Sequence, residues 1–155
     1  MSDGDGMRSS ADAASRFLPH GGTARLIREV LSSSSESMTC IARFPSENAL
    51  LQDGRAASHL LVEPAAQAAA THLAILAVES GTEIRGFEGF LTSAKNVEFF
   101  LPDFPADTDV TIHVRPRGTI RKAKSGLFKF RFEAELDGTP LARGELSTYV
   151  MPLES

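Results

Sequence analysis

The chain has 155 residues, a net charge of −4 and 42% hydrophobic residues, which is the size and composition of one globular domain. The acidic balance argues against a nucleic-acid-binding protein. The single cysteine, Cys40, excludes an internal disulfide and a cysteine-based zinc site. Neither a signal-peptide core nor an uninterrupted membrane-spanning segment is evident, so we expect a cytoplasmic protein without a membrane partner.

The N-terminal part of the chain changes character at about residue 17. Residues 1–16 are mostly Ser, Gly, Asp and Ala, and we predict a disordered tail there. We expect a single domain over residues 17–155. Two strands should open it, one over Ala24–Leu31 and one in which apolar residues alternate from Met38 to Phe44.

The longest apolar run extends from His59 to Ala77. Its length and its many small residues favour a helix, and a helix that is apolar nearly all round is expected to be buried. Ser58 is a candidate cap and Gly81 a natural stop. Glu63 and Gln67 lie four residues apart and therefore share one face. A buried carboxyl group is costly unless it is paired or neutral, so we predict that Glu63 has a functional role.

After the helix the hydrophobic pattern changes to a period of two. This predicts strands over Phe87–Phe100, Val110–Val114, Phe128–Leu136 and Leu141–Val150. Asp137 and Gly138 form a strong hairpin signal between the last two. The order of two strands, one long helix and about four antiparallel strands predicts an α+β fold, with the sheet curved around the helix.

Three segments carry a resemblance to a known family: Leu18-Pro19-His20, Glu63-Pro64-Ala65-Ala66-Gln67, and the strand from Phe90 to Pro102. With this element order, they resemble the hotdog-fold 3-hydroxyacyl dehydratases that act on acyl carrier protein. The resemblance covers roughly residues 17–150. It implies a long central helix wrapped by a curved antiparallel sheet. It also implies a homodimer or higher oligomer formed through an edge strand, or a heterodimer.

Two departures distinguish this chain from the usual enzymes of that family. Arg43-Phe44-Pro45 stands where those enzymes carry a catalytic His in a His-Phe-Pro segment. The Pro-Gly that usually precedes the helix is replaced by the segment Asp53 to Ser58. This form, with Leu50-Leu51-Gln52-Asp53-Gly54 before the helix, is similar to the dehydratase-like branch of aryl-polyene and related pigment pathways.

Dehydration of a 3-hydroxyacyl thioester needs a base near the α-carbon, an acid near the 3-hydroxyl group and donors for the thioester carbonyl. The resemblance implies that Glu63 is the acid, and Gln67 could hold its carboxyl group. His59, four residues earlier, and His20 are candidate bases. Each has a plainer reading: His59 at an exposed helix start, His20 as a structural residue, and Glu63 as an inert, hydrogen-bonded acid.

Other polar residues are candidates for substrate binding or for ordinary structural roles. Arg43 and Ser58 could line the acyl site with Gln67. We expect His72 and His113 to be ordinary residues, with His113 on the polar face of its strand.

A basic turn follows the predicted strand Val110–Val114. Five cations lie within it, namely Arg115, Arg117, Arg121, Lys122 and Lys124. One basic cluster on an acidic protein indicates an acidic partner, and acyl carrier protein is such a partner. The alternative is a solvated hairpin turn.

Three functions remain open at this point. The first is a dehydratase of fatty-acid-like or polyene biosynthesis, acting on a carrier-protein or CoA thioester without cofactor or metal. The second is a non-catalytic acyl-binding or partner subunit, which Arg43 at the place of the usual His favours. The third is a hotdog thioesterase, which also uses a carboxylate near the helix.

Overall fold

The computed structural model describes residues 25–81, 86–118 and 126–153. The predicted tail, the Leu18-Pro19-His20 segment and the tip of the basic turn lie outside these ranges. The elements in chain order are β1 (Ile27–Ser33), β2 (Met38–Ala42), β3 (Arg55–Ala57), a 3₁₀ turn (Ser58–Leu61), α1 (Val62–Glu79), β4 (Gly86–Phe99), β5 (Asp103–Pro105), β6 (Val110–Pro116), β7 (Gly126–Leu136) and β8 (Thr139–Leu153).

Six strands form one antiparallel sheet in the order β1-β2-β6-β7-β8-β4. Helix α1 packs against one face of this sheet and contacts every one of its strands. The predicted α+β architecture, one long helix against an antiparallel sheet, is therefore confirmed. The order places β4, the strand that follows the helix in the chain, at an edge of the sheet.

The residues of α1 explain why the sheet can wrap it closely. The helix has 18 residues, and its alanines, among them Ala65, Ala68 and Ala69, are fully buried. Small side chains let strands approach a helix from several directions. The helical segment is long and apolar enough to cross a membrane, but most of it is buried inside this fold. Gly81 ends the helix as predicted, with φ of +77° and its N–H bonded to the carbonyl of Val78.

The clearest strand prediction is confirmed in β7. Phe130, Phe132 and Ala134 are buried and their neighbours point outward. The hairpin to β8 is closed by Asp137 and Gly138, with φ of 48° and 80°. Positive φ at both positions is what a two-residue turn of this hand requires, so the Asp-Gly signal fixes the register of the last two strands.

Two elements differ from the sequence prediction. Strand β1 runs over Ile27–Ser33, later than expected, and the turn after it is closed by Ser34 N–H bonding to Ser37 at 2.8 Å. A small second sheet pairs β3 with β5, where the sequence predicted irregular chain and a turn. Strands of three residues are too short to show a hydrophobic period, which explains why they were missed.

Strand β4 is irregular at two places along its pairing with β8. Register shifts lie between Leu91 and Ser93 and between Lys95 and Glu98, on both sides of the interruption predicted at Ser93-Ala94. The second shift brings Val97 against Gly144 of β8. A Cβ at Gly144 would lie 2.8 Å from Val97 Cγ2 and 3.0 Å from Val97 Cα, so only glycine fits there without movement of β4.

Candidate functional site

Glu63 lies in the first turn of α1 and is exposed in the single chain. The expectation that its carboxyl group is buried is therefore wrong for one chain alone. Successive residues of a helix point about 100° apart, and the next two residues, Pro64 and Ala65, are buried. The helix thus enters the sheet immediately after Glu63 and leaves this carboxyl group at the open end.

Gln67 is buried one turn further along α1, with 5% of its surface exposed. Its side-chain oxygen Oε1 accepts the backbone N–H of Leu26 at 2.9 Å. Its Nε2 donates to Glu63 Oε1 at 3.4 Å. The helix face predicted from the four-residue spacing therefore exists, and Gln67 joins the carboxyl group to the chain just before β1.

Arg43 lies close to this network. Its backbone N–H bonds to the carbonyl of Leu26 at 3.0 Å, so Leu26 connects Arg43 to Gln67. The guanidinium group of Arg43 is paired with Asp109, whose Oδ1 lies 2.9 Å from Nε and 2.7 Å from Nη2. The sequence analysis missed Leu26 and Asp109, because through-space partners so distant in the chain leave no local signal.

Ser58 does not cap the helix, so that prediction is wrong. The residue before it, Ala57, stands at the start of the 3₁₀ turn, and no side chain caps that end. The backbone N–H of Ser58 instead bonds to the carbonyl of Pro102 at 2.9 Å. The side chain is buried, and within the described ranges its hydroxyl group has no hydrogen-bond partner. This hydroxyl is free to meet a polar group at the helix start.

The histidines have different environments. His59 is exposed in the 3₁₀ turn before Glu63, whereas His20 lies outside the described residues. His72 is fully buried in α1, where Nε2 donates to the carbonyl of Ser34 at 2.7 Å. Burial lowers the pKa of His72 below its usual value. His72 is thus a neutral core residue, as predicted.

His113 and Cys40 also follow the ordinary interpretation. His113 points to the outer face of the sheet, where Nδ1 lies 2.9 Å from the hydroxyl of Thr39 and Nε2 lies 3.5 Å from Glu135 Oε1. Burial raises the pKa of the Cys40 thiol to about 12, which excludes a thiolate nucleophile at neutral pH.

The basic turn is described only in part. Arg115 and Arg117 are exposed at the end of β6, and Arg117 Nη1 lies 3.0 Å from Glu145 Oε1. Arg121, Lys122 and Lys124 lie outside the described residues. Among the residues that are described, no group of three or more His, Cys, Asp or Glu could hold a metal ion.

The inner face of β4 is apolar and largely uncovered. Leu91 and Phe99 are paired with the buried residues Thr148 and Ala142 of β8 and therefore face the helix side, yet they are 40% and 43% exposed. Phe100 and Leu101, which follow, are exposed as well. The consecutive apolar residues at the end of this strand were a sequence signal that went unused. A surface of this kind at a sheet edge marks an interaction site.

Comparisons with known proteins agree with this fold. A solved structure of the dehydratase heterocomplex ApeI:P from Xenorhabdus doucetiae matches with a TM-score of 0.75 and 23% identity, over 88% of this chain and 89% of that chain. A hypothetical thioesterase from Streptococcus pneumoniae, solved with coenzyme A, matches with a TM-score of 0.57 and 12% identity, over 82% and 88%.

A mutant of thioesterase PA1618 from Pseudomonas aeruginosa matches with a TM-score of 0.55 and 18% identity, over 82% of both chains. No curated protein matches the sequence. These structural likenesses confirm the hotdog fold. The model of the ApeP-like family, described as ApeP dehydratase, matches residues 13–154. The chain therefore belongs to the ApeP-like dehydratase family.

Proposed function

We propose that the protein removes water from 3-hydroxyacyl thioesters carried by acyl carrier protein, in fatty-acid-like or polyene biosynthesis in the cytoplasm. One observation carries the proposal: in a chain of the ApeP-like family, Glu63 stands at the open start of the central helix with Gln67 bonded to its carboxyl group. Arg115 and Arg117, the described part of the basic turn, are the predicted contacts for the acidic carrier.

The reaction needs two proton transfers. A base takes the proton from the α-carbon, and the electrons of that C–H bond form the α,β double bond as the 3-hydroxyl group leaves. Glu63 in its acid form supplies the proton with which the hydroxyl departs as water. The free N–H groups at the start of the helix, together with the Ser58 hydroxyl, can polarise the thioester carbonyl. His59 and His20 remain the candidate bases of this chain.

A second function is supported by Arg43. The guanidinium group at the place of the usual catalytic His is held by Asp109, and guanidinium groups do not act as bases at neutral pH. In this alternative the chain is a partner subunit, and an imidazole of a second, different subunit completes the site. The ApeI:P structure, which its name describes as a dehydratase heterocomplex, is a relative of this kind.

Both functions call for a dimer formed through β4. The edge strand has unpaired backbone groups and an apolar inner face, and a second subunit paired there would cover both. It would also cover the exposed Glu63 region, where exclusion of water strengthens the interactions of a catalytic carboxyl group.

One assay separates the functions. The purified protein is incubated with a 3-hydroxyacyl carrier-protein thioester, and the mass of the carrier is followed. Loss of water identifies a dehydratase, and loss of the acyl group identifies a thioesterase. An unchanged mass, with activity appearing when a hotdog subunit that carries the His-Phe-Pro histidine is added, identifies a partner subunit.

The role of Glu63 is tested by Glu63→Gln, which keeps the shape of the side chain and removes its proton. We expect the dehydration rate to fall by roughly 10²–10⁴-fold, the usual contribution of a general acid. Glu79→Gln, at the exposed end of the same helix, is the matched control and should keep full activity. Full activity of Glu63→Gln would refute the assignment.

A further inference from the structure

The outer face of the sheet, away from α1, carries an exposed apolar cluster. Leu127 and Tyr149 are paired across β7 and β8 and are 56% and 40% exposed. Met151, two residues further along β8, is 37% exposed. The intervening residues Thr148 and Val150 are buried on the helix side, so the three apolar side chains share the outer face. An exposed apolar cluster of this kind indicates a contact surface.

Cations border this apolar cluster. Arg115 and Arg131 are directly paired across β6 and β7, and Glu145 of β8 is paired with both Arg131 and Lys95. Like charges placed directly opposite each other destabilise a strand pair. Five exposed cations surround the single carboxylate Glu145, namely Lys95, Arg115, Arg117, Lys129 and Arg131. On a chain with a net charge of −4, this local excess calls for an anionic partner.

Two recesses lie among these cations. One, of about 230 Å³, is lined in part by Lys95, Arg117, Lys129 and Glu145. The other, of about 450 Å³, includes Arg115 and Arg131 in its lining. Glu145 lies between them, 3.0 Å from Arg117 Nη1 and 3.7 Å from Arg131 Nε. Such recesses can accept carboxylate side chains beside a helix that rests on the apolar cluster.

We propose that this outer-face surface, formed by Leu127, Tyr149, Met151 and the five cations, docks an acidic amphipathic helix of the acyl carrier protein. The inference rests on the proposed function, which requires a carrier. It places the binding energy on strand residues rather than on the tip of the basic turn. Apolar residues of the carrier helix cover Leu127 and Tyr149, and its carboxylates meet the cations.

The chemistry of the surface favours a protein helix over other anions. An inorganic anion would leave Leu127 and Tyr149 exposed. A lipid surface needs cation density alone, whereas Glu145 breaks the cations into a pattern that a specific helix can match. Because α1 lies on the opposite face of the sheet, a carrier helix docked here leaves Glu63 uncovered.

The test measures the affinity of apo acyl carrier protein, without an acyl group, for the full-length protein by titration calorimetry at low salt. We expect Lys129→Glu and Leu127→Ser each to raise the Kd by about tenfold, as for residues at the centre of an interface. The loss for Lys129→Glu should shrink as salt is added. Arg28→Glu, on β1 at the other edge of the sheet, and Leu50→Ser, in an exposed loop, are the matched controls.

Dehydration of a carrier-free 3-hydroxyacyl N-acetylcysteamine thioester separates this inference from the proposed function. The surface variants should keep wild-type activity on that substrate, while their affinity for the carrier falls. Wild-type affinity in both variants overturns the docking surface, even when the enzyme is active. Binding to vesicles that contain phosphatidylglycerol, without binding to the carrier, also overturns it and identifies a membrane contact instead.

Discussion

The side-chain oxygen of Gln67 accepts the backbone N–H of Leu26 at 2.9 Å, which ties the buried helix to the chain just before the first strand. Gln67→Met keeps the size of the side chain but leaves that buried N–H without its acceptor. We expect the free energy of unfolding to fall by about 1–3 kcal/mol, the cost of an unsatisfied buried polar group. Urea denaturation followed by circular dichroism measures this change.

The matched control for this variant is Gln52→Met. Gln52 is exposed, so the same change of side chain should alter the stability by less than about 0.5 kcal/mol. Equal effects of the two substitutions would contradict a structural role for the Gln67 hydrogen bond.

Buried His72 makes stability depend on pH. Its pKa in the folded chain is lowered from the usual 6.5 by burial, so below pH 6.5 the unfolded chain binds a proton that the folded chain does not. Stability from this residue is therefore present above pH 6.5 and is lost as the pH falls, by up to about 1.4 kcal/mol per pH unit.

Urea denaturation at a series of pH values between 7.5 and 5 compares the wild type with His72→Phe. The variant cannot bind this proton, so its stability should decline less steeply on acidification. Parallel curves for the two proteins would show that His72 does not control the decline.

Gly144 is expected to tolerate no side chain. The Cβ of alanine would lie 2.8 Å from Val97 Cγ2 and 3.1 Å from Phe132 Cε1. We expect Gly144→Ala to cost about 1–3 kcal/mol, as for an overpacked core. Adding Val97→Ala should recover part of this loss, because one of the clashing groups is then absent. Strictly additive effects in the double variant would contradict the contact.

The edge strand β4 is expected to hold the dimer together. Leu91→Glu places a charge on its exposed inner face and should shift the protein towards monomer, because a carboxylate would be buried without a partner. Sedimentation-velocity centrifugation measures the shift. Leu50→Glu is the control, since Leu50 is 66% exposed in a loop before the helix. An unchanged dimer in the Leu91 variant would place the interface elsewhere.

Much of the fold follows from local sequence patterns. The alternation from Phe128 to Leu136 and the Asp137-Gly138 signal predict β7 and its hairpin, because a period of two and two positive φ angles are both local properties. The short strands β3 and β5 show no such pattern. Their pairing depends on the approach of two distant loops, which no window of sequence reveals.

The candidate site was predictable only in part. The four-residue spacing places Gln67 beside Glu63, since helix geometry alone fixes that relationship. The exposure of Glu63 could not be read from the sequence, because it depends on where the sheet ceases to cover the helix. The pairing of Arg43 with Asp109 joins residues at the ends of different strands and likewise has no local signal.

The position of β4 at the edge of the sheet has a consequence for the composition of the assembly. One edge can pair with only one strand at a time. If identical and non-identical subunits both bind there, the homodimer and the heterodimer compete for each chain. The share of each form is then set by the relative amounts of the subunits in the cell and by their affinities, so changing the expression of one subunit redistributes the other.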